Sequence, residues 1–129
     1  MIFNTKKRFF KDKIDQVTKT IWEMEFKVEK SRQVREGVRQ DRDRSIEAVG
    51  HVKARIEASQ DEAEKDNLKK ELEGLEDSVS RYEKQMKMID DQIVGSNGDK
   101  DNEPVIGILE QIKSLTELRN MYKDYIKKI

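Results

Sequence analysis

The 129-residue chain holds 27 basic and 27 acidic residues, so its formal net charge is zero, and 42% of it is charged against 34% hydrophobic. That balance excludes a compact globule with a thick core, and it argues against a chain whose whole field is built to hold nucleic acid or an anionic membrane. With no cysteine, disulfides, thiolate metal sites and catalytic thiols are excluded as well.

Six Gly and one Pro are too few for a loop-rich fold, and a chain this rich in Glu, Lys, Arg and apolar residues has the balance of long helices. The opening Met1-Ile2-Phe3-Asn4-Thr5-Lys6-Lys7-Arg8 lacks the apolar stretch of a secretory signal, and no run approaches the roughly 18 apolar residues of a membrane span. The expected location is the cytoplasm.

From the amino terminus, an apolar ladder runs at alternating three- and four-residue steps through Ile14, Val17, Ile21, Met24, Val28, Ser31, Arg35, Val38, Arg42, Ser45, Val49, Val52, Ile56, Ser59 and Ala63. This is the heptad signature of a helix that winds on a partner. It predicts helix one over 6–58, a rod of about 80 Å at 1.5 Å per residue.

A second ladder, Leu68, Leu72, Leu75, Val79, Tyr82, Met86, Ile89 and Ile93, is reached only by a five-residue step from Ala63. The step breaks the seam and places a turn at 59–66, where Ser59 and Glu62 have capping-box spacing. One unbroken helix over 6–94 is the rival reading, but an ordinary stutter of three or four residues does not produce this shift. Helix two is expected over 67–94.

The stretch 95–103 is polar and glycine-bearing, a breaker with the character of a flexible loop. Pro104 then suits the first turn of helix three, expected over 104–128. Its apolar stripe (Val105, Ile106, Ile108, Leu109, Ile112, Leu115, Leu118, Met121, Tyr122, Tyr125, Ile126 and Ile129) is wider than a heptad seam, as in helices that meet two neighbours. The fold class is therefore all-α: an elongated antiparallel helical hairpin of coiled-coil type with a third, C-terminal helix after a flexible loop, in one domain over 1–129.

Folding helix two back near residue 62 sets Val38 level with Met88, Val52 with 72–75, Ile56 with 68–72, and Arg35 with Asp90 and Asp91. A charged stretch of the first seam then meets an acidic pair in the second. Helix two ends level with Arg32, which leaves Ile14 to Val28 without a hairpin partner. Each large apolar side chain left in water forgoes about 1.5–3 kcal/mol, so something must cover this stripe. Helix three is the candidate within the chain, and a second copy is the candidate outside it.

Few residues suggest chemistry. His51, the single histidine, lies off the seam with no second His or Cys to share a metal, and reads as a solvated surface residue. Asp90 beside Asp91, and Glu23 near Glu25, are too close along a helix to face one another as acid and base. The 95–100 stretch lacks the phosphate-loop pattern and a preceding strand. Asp99, Asp101 and Glu103 alternate without reproducing a calcium loop. No catalytic residue, cofactor, metal or small-molecule substrate is expected, and the chain reads as a non-enzyme.

Three surfaces remain. Arg32, Arg35, Arg39, Arg42 and Arg44 could grip phosphate, but Glu36, Asp41, Asp43 and Glu47 are interleaved with them. The preferred reading is a polar layer that sets register, formed by Arg35 and Arg42 with Asp90 and Asp91. Near the amino terminus Phe3, Phe9 and Phe10 stand among Lys6, Lys7, Arg8, Lys11 and Lys13. Two readings fit them: extension of the seam through Phe3 and Phe10, preferred about two to one, or a basic anchor contacting membrane or anion through Phe3, Lys6, Lys7, Arg8 and Phe9. Trp22 and Phe26, four apart and off the seam, form an aromatic pair suited to an interface, with burial under helix three an equal alternative.

The expected function is a structural, assembly or adaptor role. The chain would form a homo-oligomer or dock a protein partner through Phe10, Ile14, Val17, Ile21, Trp22, Met24, Phe26 and Val28, together with Leu115, Tyr122 and Tyr125. A peripheral membrane coat or scaffold ranks second. A nucleic-acid accessory factor using Arg32 to Arg44 ranks third.

Overall fold

The computed structural model describes residues 2–129, with side chains from Thr5 onward. It is all-helical: α1 spans Ile2–Ala58, α2 spans Glu62–Val94 and α3 spans Ile108–Lys128. α1 and α2 form an antiparallel helical hairpin, and α3 follows after a loop. The chain divides into two compact units, one made of Met1–Ser31 with Asp90–Ile129 and the other of Arg32–Ile89.

The Arg32–Ile89 unit is a two-helix seam. Val38, Arg42, Ser45, Val49, Val52 and Ile56 on α1, and Leu68, Leu72, Leu75, Val79, Tyr82 and Met86 on α2, are all withdrawn from water, while most positions between them are exposed. Val52, Leu68 and Met86 are buried outright. This one-in-three pattern is what a stripe two residues wide per heptad gives when it meets a single partner.

The turn is shorter than the ladder suggests. α2 begins at Glu62, not 67, because Asp61 rather than Ser59 caps it. The Asp61 Oδ1 accepts the Ala63 N–H at 3.1 Å, and the Asp61 carbonyl accepts the Lys65 N–H at 3.0 Å, as an N-cap residue does. Ser59 instead bonds locally to the Asp61 backbone. Ala63 is consequently a helical, exposed residue of α2, and Lys65 takes the first partly covered position, three before Leu68. The five-residue step is thus the crossing from one helix to the other. The shorter turn also changes the facing: Val38 lies on the seam, whereas Met88 is 63% exposed.

The other unit gathers α1 as far as Ser31, the end of α2, the loop and α3. Ile21, Val28 and Ile93 are its buried residues. Ile108, Ile112, Leu115, Leu118, Tyr122 and Ile126 of α3 are half-buried at helical spacing. The Phe10 ring stacks on Tyr125 at 5.6 Å between centroids and 10° between planes, and lies 5.8 Å from Tyr122. The stripe that the hairpin leaves open is therefore met by α3 of the same chain.

α3 starts at Ile108, later than Pro104, because the segment before it is extended. Ser96 and Val105 exchange backbone hydrogen bonds of 2.9 and 2.8 Å. Gly107 then serves as N-cap, with φ −71° and ψ 157°. It is buried so tightly that a Cβ would overlap the backbone of Ile93, Val94 and Gly95. Gly95 ends α2 at φ 89°, in the left-handed region that a residue with Cβ avoids. Within the loop, Asp99 Oδ1 accepts the N–H groups of Asp101 and Asn102 at 2.9 and 2.8 Å. The expected flexible loop is thus folded on itself by an Asx-type turn.

Candidate partner-binding surface

The site must be built from what α3 leaves uncovered. On α1, the residues facing α3 and the end of α2 are those of the ladder: Phe10, Ile14, Val17, Ile21, Met24 and Val28 are half-buried or buried, and so are Leu115 and Tyr122 on α3. These eight serve the internal core of their unit. Of the expected interface set, Trp22, Phe26 and Tyr125 remain in water, at 66%, 62% and 49% exposure.

Trp22 and Phe26 stay outside for a geometric reason. They sit one and five positions after the ladder residue Ile21, on adjacent lines of the outward face, and a helix packing on the ladder does not reach there. Lys30 lies over the Phe26 ring at 5.1 Å from its centroid, a cation–π contact at the surface. An exposed Trp beside an exposed Phe, one turn apart, is an aromatic pair of the kind that anchors protein interfaces.

Three arginines of the cluster, Arg39, Arg42 and Arg44, meet carboxylates of their own helix. Arg39 forks onto Glu36 and reaches Asp43 at 2.7 Å, Arg42 bonds Asp43 at 3.0 Å, and Arg44 lies 3.6 Å from Asp41. The hydrogen bond from Arg39, and then its charge, hold the Glu36 carboxyl below its ordinary value of 4.5. The same hydrogen bond raises Arg39. The forks of Arg39 and Arg42 are already engaged by carboxylates, which phosphate would have to displace. Arg35 and Arg42 are half-buried seam residues, and Asp90 and Asp91 are half-buried near the end of α2.

His51 is exposed, 3.8 Å from Glu47 one turn back. Lys6, Arg8 and Phe9 are exposed and Lys7 is half-buried, while the Phe3 side chain lies outside the described residues. Among the described residues no group of three or more His, Asp or Glu is placed to hold a metal ion, and no helix is long and apolar enough to cross a membrane.

Sequence reasoning missed one surface. Val94, Val105, Ile106 and Leu109 are exposed around the loop, beside an open depression of about 500 Å³ in which Glu110 is the one titratable residue. Val105 and Ile106 read as part of the α3 stripe. The missed signal was Gly107, which sets the helix start after them.

No family model, curated protein or solved structure matches this chain.

Proposed function

We propose that this is a non-enzymatic, cytoplasmic assembly or adaptor protein that self-associates or docks a protein partner through the outward aromatic face of α1. The observation that carries this is the exposure of Trp22 and Phe26 on a helix whose other apolar face is already covered by its own chain. Large aromatic side chains contribute most when desolvated, and nothing within the unit desolvates these two. The two depressions bordered by Val105 and Ile106 are open and poor in titratable groups, which favours recognition over catalysis there.

The test is the double substitution Trp22→Ala with Phe26→Ala. Exposed residues contribute little to folding, so the melting temperature should hold to within the equivalent of about 0.5 kcal/mol. Mass by light scattering, or retention of a co-purifying protein, should fall. Unchanged mass and partner retention would reject this face as the interface. A large drop in melting temperature would show the pair buried instead.

A further inference from the structure

The Phe10 stacking on Tyr122 and Tyr125 has an electrostatic consequence. It brings the first turns of α1 beside the last turns of α3, and both are basic. Residues 5–13 contribute Lys6, Lys7, Arg8, Lys11 and Lys13 against Asp12 alone. Residues 119–129 contribute Arg119, Lys123, Lys127 and Lys128 against Asp124 alone. Together the two segments hold nine cations and two anions, in a chain whose whole balance is 27 against 27. Neither segment has this excess through its own pattern alone; the packing doubles it.

Six of these cations are available. Lys6, Arg8, Lys11, Lys123, Lys127 and Lys128 are exposed, and among the described residues none of them forms an ion pair. Apolar side chains of the same two segments are also in water: Phe9 is 55% exposed, Met121 54% and Tyr125 49%. Phe9 packs edge-on against Phe10 at 5.5 Å and has Lys13 over its ring at 5.5 Å. The aromatic cluster therefore runs from the interior of the unit out to its surface.

We propose that this composite basic end of the unit, made by both helices, docks on an anionic lipid surface. The lysines would lie among acidic headgroups, while Phe9, Met121 and Tyr125 enter the boundary between headgroups and acyl chains. A nucleic acid would need the cations but not the exposed Phe and Met, and the apolar component is what favours lipid. The proposal goes beyond the partner-binding reading, since it uses a different face.

The experiment is co-sedimentation of the full chain with vesicles of neutral phosphatidylcholine, and with the same vesicles carrying phosphatidylserine, over a salt titration. Binding is expected only to the anionic vesicles and should weaken as salt rises. Each basic residue near such a surface changes partition about fivefold, so Lys127→Glu with Lys128→Glu should lower binding by at least about tenfold. Phe9→Ala should lower it severalfold, with helicity retained in both. Trp22→Ala should leave vesicle binding unchanged, which separates this face from the aromatic one. The proposal is overturned by absence of vesicle binding, by equal binding to neutral vesicles, or by capture of a DNA duplex without vesicles. It is also overturned if the two α3 substitutions have no effect, since the face would then not be composite.

Discussion

The two units solve the same burial problem with different numbers of helices. In Arg32–Ile89, two helices meet along one seam, and that seam tolerates Arg42 and Ser45 among its apolar residues. In the other unit, α1 is more apolar, and a third helix packs on it beside the end of α2. A pair of helices covers one narrow stripe each, so polar residues at its edge remain partly hydrated at little cost. Where a third helix closes over, ladder positions are apolar throughout, from Phe10 to Val28. The difference teaches that the polarity of a heptad seam reports how many helices meet on it.

The largest effect expected is at the joint that allows α3 to dock. Gly107→Val would force a side chain into the backbone of Ile93 to Gly95, and overpacking against backbone costs at least about 3 kcal/mol. Thermal melting should show the loss. If Gly107→Val melts like the parent chain, the close approach of α3 to the end of α2 is wrong.

Next come the cores themselves. Ile21→Ala and Leu68→Ala each remove a buried side chain, and each should cost about 2–5 kcal/mol. Amide exchange distinguishes them: Ile21→Ala should raise exchange in α3 most, and Leu68→Ala should raise it near Val49 to Ile56. Identical exchange patterns from the two would collapse the comparison into one cooperative core.

A smaller effect of opposite sign is expected at the polar seam. Arg42 bonds Asp43 of its own helix, and Asp43 keeps Arg39 when Arg42 is removed. Arg42→Leu should therefore raise stability by about 1 kcal/mol, since an apolar residue packs better at a seam and no buried charge is stranded. Register should loosen, seen as new distances between spin labels on α1 and α2. A marked loss of stability would mean that Arg42 is specifically paired across the seam.

The smallest effect is at Glu36. Its carboxyl is depressed below 4.5 by Arg39, so the ion pair favours the folded state above that pH and is lost as pH falls through the lower folded value. An NMR titration should place the Glu36 midpoint below 4.5, and Arg39→Gln should return it upward. A midpoint at the ordinary value in the parent chain would show that the fork is not populated.

Much of this was legible in the residues. The three- and four-residue steps located the seam positions from Ile14 to Ile56 and from Leu68 to Ile93, because a helical face is fixed by spacing alone, but they failed at Ala63, which is exposed while Lys65 is partly covered. The shift after Ala63 announced the turn, but its width was misjudged: a capping Asp at 61 is a local signal that competed with Ser59, and only hydrogen bonding chose between them. Pro104 misled in the same way, since a proline suits an extended segment as well as a first helical turn.

The sequence by itself determined the helical class, the seam and the need for something to cover Ile14 to Val28, because these follow from periodicity and the cost of exposed apolar surface. Only the tertiary structure decided that α3 supplies the cover, since apolar burial is non-directional and a second chain would satisfy it equally. It also decided that Trp22 and Phe26 stay outside, and that basic segments more than a hundred positions apart lie together at one end of a unit. Those outcomes depend on where a helix lies in space, which the buried backbone of Gly107 and the Phe10 stack impose and no local pattern encodes.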